Sequence, residues 1–130
     1  MKSTTEDYLK TICLIQNKKG YVRSVALATA FGVSKPTVSN KLKRLISDGY
    51  ITMDEDRFIH LTDAGKAVAE ETLERNSTVR DLLISLGVDE SIAEADACEM
   101  EHTISSQSLT ALKNLQAIIR RQSQDAEGSD

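Results

Sequence analysis

One proline and six glycines in 130 residues leave few places for tight turns. That scarcity excludes an all-β fold built of many short strands. Aromatic residues make up only 4 % and tryptophan is absent, so a core must come from Leu, Ile, Val and Ala, as in a mainly α protein. Two cysteines, Cys13 and Cys98, make no disulfide framework, and in a reducing compartment both stay thiols. No apolar run approaches the roughly 20 residues that span a bilayer. The start, Met1-Lys2-Ser3-Thr4-Thr5-Glu6-Asp7, lacks the apolar core of a signal peptide. A cytoplasmic location with no membrane partner is expected. Nucleophile–base pairs and glycine-rich phosphate loops are also missing, so an enzyme is not expected.

What the chain has is charge, unevenly placed. Residues 1–45 hold nine bases (Lys2, Lys10, Lys18, Lys19, Arg23, Lys35, Lys41, Lys43, Arg44) against Glu6 and Asp7, a balance of +7. Residues 46–130 hold seven bases and eighteen acids, a balance of −11. A basic first part suits an anionic partner, and an acidic second part suits cations.

The apolar spacing of Tyr8, Leu9, Ile12, Cys13 and Ile15 predicts a first helix, capped at Thr4 or Thr5 and ended by Gly20. Cys13 sits among apolar neighbours and reads as core. Tyr21-Val22-Arg23 is a short extended piece. Ser24 caps a second helix that Gly32 closes, and Val33 is a buried spacer. Ser34 caps a third helix, with Pro36 in its first turn, where a missing N–H costs least. Val38, Leu42 and Leu45 line its inner face. Helix, glycine turn and helix make a helix-turn-helix. Ile51-Thr52-Met53 and Phe58-Ile59-His60-Leu61 then read as two strands joined by the tip Asp54-Glu55-Asp56-Arg57. A hairpin in that place is a wing.

The third helix would enter the major groove. Ser39 and Asn40 are the best-placed polar readers, and Pro36 and Thr37 suit thymine methyls. Lys35, Lys41, Lys43, Arg44 and the wing residue Arg57 are phosphate candidates, and Arg23 and Ser34 complete the DNA-binding set. The acids Asp54, Glu55 and Asp56 would repel phosphates and oppose deep insertion of the wing. One such unit covers a half-site, so a homodimer on a palindromic double-stranded operator is expected.

Thr62 caps a fourth helix running to about Leu86 and closed by Gly87. Asp89 caps a fifth. A sixth runs from Ser105 or Ser106 to about Gln122, and the polar remainder is expected to be disordered. The domains are then 1–62, a winged helix, 63–122, a helical unit, and 123–130, a tail. On the fifth helix, Cys98, Glu101 and His102 stand at i, i+3 and i+4 and share a face. Thiol, carboxylate and imidazole are all divalent-metal ligands. The same spacing also suits a small buried thiol with Glu and His on a wet face.

Four segments together resemble the diphtheria-toxin-repressor family of metal-dependent transcriptional repressors. They are Thr4-Thr5-Glu6-Asp7-Tyr8-Leu9-Lys10-Thr11-Ile12, Val33-Ser34-Lys35-Pro36-Thr37-Val38-Ser39, Leu61-Thr62-Asp63-Ala64-Gly65 and Ala97-Cys98-Glu99-Met100-Glu101-His102. The resemblance implies an N-terminal winged helix-turn-helix and a C-terminal helical domain for metal binding and dimerisation. It implies a metal site at Asp7, Cys98, Glu101 and His102, which mixes the ligands of the manganese branch (Asp7) and the iron branch (Cys98). The family's second site is not expected, because Asn76, Arg80, Glu94 and Lys10 stand where its ligands would be. Nor is its SH3-like C-terminal domain, since only polar residues follow the sixth helix. The implied function is a metal-activated repressor sensing Mn²⁺ or Fe²⁺, with Zn²⁺ or Co²⁺ able to bind in vitro. Two alternatives stay open: a metal-independent winged-helix regulator, and a protein-interaction module that binds no DNA.

Overall fold

The computed structural model describes residues 2–128, and the side chains of residues 5–124. The described residues form six helices and one two-stranded sheet, in the order α1 (Lys2–Lys19), α2 (Ser24–Phe31), α3 (Lys35–Ser47), β1 (Ile51–Met53), β2 (Ile59–Leu61), α4 (Asp63–Ser85), α5 (Glu90–Met100) and α6 (Ser106–Gly128). The protein is mainly α, as its composition required. It divides into two compact units, Met1–Thr72 and Leu73–Asp130.

The first unit is a winged helix. Leu9 and Ile12 of α1, Leu27 of α2, Val38, Leu42 and Leu45 of α3, and Ile51 and Ile59 of the sheet are buried together with Val22. Tyr8 stacks on Phe31, with ring centroids 4.4 Å apart. The apolar positions on α3 recur at i, i+4 and i+7, so one face is buried and Ser39, Asn40, Lys43 and Arg44 stay exposed. Ser34 caps α3, its Oγ accepting from the Thr37 amide at 3.3 Å. The strands pair antiparallel, Ile51 with Leu61 and Met53 with Ile59. The Ile59 amide also donates to the Val22 carbonyl at 2.8 Å, which ties the extended piece after α1 to the wing. Thr62 caps α4 as expected, its Oγ1 accepting from the Gly65 amide at 3.2 Å and donating to the Gly49 carbonyl at 2.6 Å.

The second unit holds the remainder of α4 with α5 and α6. Val79, Leu82, Ala93, Ala97 and Leu109 are buried there. Ser105 caps α6, accepting from the Ser108 amide at 3.1 Å.

Several boundaries differ from expectation. α1 begins at Lys2 rather than at a Thr4 or Thr5 cap, because nothing before Thr4 breaks a helix. Arg23, not Ser24, is the N-cap of α2. Val33 is not a buried spacer, since it is 38 % exposed. Asp89 stands at the N-cap of α5 without a capping bond from its side chain. α5 ends at Met100, so Glu101 is its C-cap and His102 lies beyond it. The chain turns there because the Thr103 and Ile104 amides both donate to the Met100 carbonyl, each at 3.0 Å. α6 continues past Gln122 to Gly128, and Ser129 and Asp130 of the expected tail lie outside the described residues.

Candidate metal centre and nucleic-acid interface

The exposed face of α3 carries Lys35, Pro36, Thr37, Ser39, Asn40, Lys43 and Arg44. Ser39, Lys43, Arg57 and Ser24 line one open cleft of about 420 Å³ between α3 and the wing. Three residues of the expected DNA set thus meet on one surface. Ser34 is occupied as the α3 cap, and its hydroxyl also lies 2.8 Å from that of Thr37. Arg23 lies over the Phe58 ring at 4.4 Å, with Tyr21 edge-on to the same ring at 5.7 Å. Lys41 lines a second cleft with Thr37, Asn40 and Arg44. Its ammonium donates to Thr5 Oγ1 at 3.1 Å and lies 6.0 Å from the Tyr8 ring centre, so it braces α1. Burial pushes the Tyr8 hydroxyl above its ordinary pKa.

The wing tip holds what sequence reasoning missed. Asp54 does not simply face outward as a repelling acid. Its Oδ1 accepts from the Asp56 and Phe58 amides, each at 2.9 Å, and its Oδ2 lies 2.8 Å from His60 Nε2. Hydrogen bonding from the His60 ring, then from the Phe58 amide, holds the Asp54 carboxyl below the usual carboxylate range. An aspartate opening a four-residue tip was the available signal, because its side chain commonly bonds amides two residues on.

Among the metal candidates of the second unit, Glu101 is fully buried and His102 half-buried. His102 Nε2 stands 3.5 Å from Glu101 Oε1. Cys98 is exposed, and its sulfur accepts from Asn76 Nδ2 at 3.4 Å. Asn76 therefore serves the thiol as a donor. Arg80 is engaged with Asp81, Nε to Oδ1, at 3.2 Å. Glu94 is exposed on α5. In the first unit Asp7 is half-buried and lies 4.0 Å from the Lys10 ammonium. A carboxylate taken out of water requires compensating positive charge. Carboxylate and imidazole donors suit a divalent ion, so Glu101 and His102 fit a metal, whereas the Cys98 sulfur is not grouped with their donor atoms among the described residues.

Two family models match in succession. The model described as iron dependent repressor, N-terminal DNA binding domain, matches residues 1–59. That described as iron dependent repressor, metal binding and dimerisation domain, matches residues 62–124. The chain belongs to the iron-dependent repressor family. It is 42 % identical over 106 residues to the transcriptional regulator MntR of Salmonella typhimurium, covering 82 % of this chain and 68 % of that protein. Its fold matches the metal-dependent transcriptional regulator MtsR with a TM-score of 0.81 at 29 % identity, over 90 % of this chain and 55 % of that one. It also matches a manganese-dependent transcriptional repressor in complex with manganese, with a TM-score of 0.74 at 27 % identity, over 85 % and 51 %. The chain thus spans about half the length of these solved regulators. Members of the iron-dependent repressor family are metal-dependent transcriptional regulators, not enzymes. The winged-helix unit is the DNA-binding part, and the following helices are the metal-binding and dimerisation part. No described helix is long and apolar enough to cross a membrane.

Proposed function

We propose that this protein is a cytoplasmic repressor that senses Mn²⁺ or Fe²⁺ and binds a palindromic operator as a homodimer. Asp7, Cys98, Glu101 and His102 hold one divalent ion per chain. The observation that carries the reading is the fully buried Glu101 carboxylate beside the His102 ring, inside the segment matched by the family's metal-binding domain. A divalent ion, when bound, would supply positive charge to these donors. Metal binding then favours the DNA-competent state of the dimer, in which both recognition helices meet their half-sites, about 34–36 Å apart for one helical turn. The ion shifts that balance only as far as it binds the DNA-competent state more tightly.

Ser39 and Asn40 read base edges, with Pro36 and Thr37 against thymine methyls. Lys35, Lys43, Arg44, Arg23 and Arg57 hold phosphates. Titrating the full chain with Mn²⁺ after EDTA treatment tests the metal reading: one strong site per chain supports it, and two tight sites contradict it. A metal-independent regulator is the second reading. The Asp7–Lys10 pair at 4.0 Å favours it, because a resident ammonium already serves that carboxylate.

A further inference from the structure

Arg57 is the one described non-glycine residue with a positive φ, +66°. Side chains other than Gly, Asn and Asp rarely adopt this region, and such residues persist only where their surroundings over-determine them. The surroundings here are one carboxylate. Asp54 Oδ1 accepts from the amides on both sides of Arg57, those of Asp56 and Phe58, at 2.9 Å each. Asp54 Oδ2 meets His60 Nε2 across the hairpin at 2.8 Å. The backbone closes the same loop, Arg57 N donating to Asp54 O and Asp54 N to Phe58 O, both at 3.0 Å. Arg57 itself is exposed and lines the cleft that Ser39 and Lys43 of α3 share.

We propose that Asp54 is a positioning residue for DNA recognition: its carboxylate clips the wing tip to His60 and fixes Arg57 in the left-handed conformation that presents the guanidinium to a phosphate. The clip also engages the Asp54 carboxylate with its own loop and with His60, so it does not stand free at a tip that reads Asp54-Glu55-Asp56-Arg57. This rests on the DNA-binding reading of the first unit.

The competing account is that Asp54 is only an acid near a polyanion, and the two accounts predict opposite signs. The test uses the full chain with Mn²⁺ and a duplex selected by the protein from a random pool, with affinity measured at several salt concentrations. Arg57→Ala should weaken binding about tenfold and flatten the slope of log K against log salt by about 0.9 for each wing engaged. Asp54→Ala should also weaken binding and flatten the slope, although it removes a negative charge. The double variant should bind no more weakly than Arg57→Ala alone. Asp54→Asn keeps an oxygen for the amides and should fall between. An unchanged Mn²⁺ affinity in the Asp54→Ala variant shows that the rest of the chain is folded. Tighter binding by Asp54→Ala, or losses that add in the double variant, overturn the proposal. If Lys43→Ala weakens binding while Arg57→Ala does not, the proposal fails alone. If the wild type binds no duplex, the DNA-binding reading fails with it.

Discussion

Asn76 on α4 donates its side-chain amide to the sulfur of Cys98 on α5, at 3.4 Å. A donor held against the sulfur fixes where that side chain points. Where the resemblance led to a missing ligand, the structure has a residue that can orient the ligand next to it, as outer-shell partners commonly do. Asn76→Ala should therefore weaken metal binding by about 10–100-fold without abolishing it. Asn76→His should restore or raise affinity by adding a donor. Competition against a metal-binding dye measures both.

In the proposed site, Cys98 sets the metal preference. A thiolate favours softer ions than a carboxylate does. Titrated with Co²⁺, the wild type should show a thiolate-to-metal charge-transfer band that Cys98→Ser loses. Cys98→Glu should shift relative affinity from Zn²⁺ and Co²⁺ towards Mn²⁺. A Co²⁺ spectrum that ignores both substitutions would remove Cys98 from the ligand set.

Lys10 lies beside Asp7 and competes with a metal for its carboxylate. Lys10→Gln removes the resident cation and should tighten Mn²⁺ binding several-fold. The metal-independent regulator predicts the reverse: DNA binding that needs Lys10 and ignores EDTA.

The entry to α4 is sterically tight. A β-carbon added at Gly65 would collide with the Tyr50 carbonyl, and Thr62 ties the same place to Gly49. Gly65→Ala should destabilise by about 1–3 kcal/mol through overpacking, and Thr62→Ala by about 0.5–2 kcal/mol through loss of the cap. Urea midpoints with unchanged slopes would check both. An unaffected Gly65→Ala would contradict the close approach.

The wing should loosen in acid. The folded Asp54 carboxyl titrates below its unfolded value, so its contribution is present above the ordinary carboxylate range. It is lost as pH falls through the lowered value. The Asp56 and Phe58 amide resonances should report that titration, and Asp54→Asn should abolish it.

Much of the fold was legible because local signals agreed. Ser34 before Lys35-Pro36, glycines after α1 and α2, and apolar residues at Val38, Leu42 and Leu45 all pointed to one winged helix. The helix ends were less legible. α5 stops at Met100, so the shared helix face of Cys98, Glu101 and His102 holds only up to the C-cap. The use of Asp54 and Lys41 was hidden, because their partners, His60 and Thr5, come from other turns of the chain. Sequence charge alone marks such residues as surface, and only the folded chain shows which partners they meet there.

The central claim is that metal controls DNA binding through Glu101 and its neighbours. Fluorescence anisotropy of a selected duplex, with the full chain in Mn²⁺ and then in EDTA, tests it most directly. The account predicts affinity higher by about 5–150-fold with metal, and loss of that difference in Glu101→Gln. Equal affinity in Mn²⁺ and EDTA, with the duplex bound tightly in both, would contradict it.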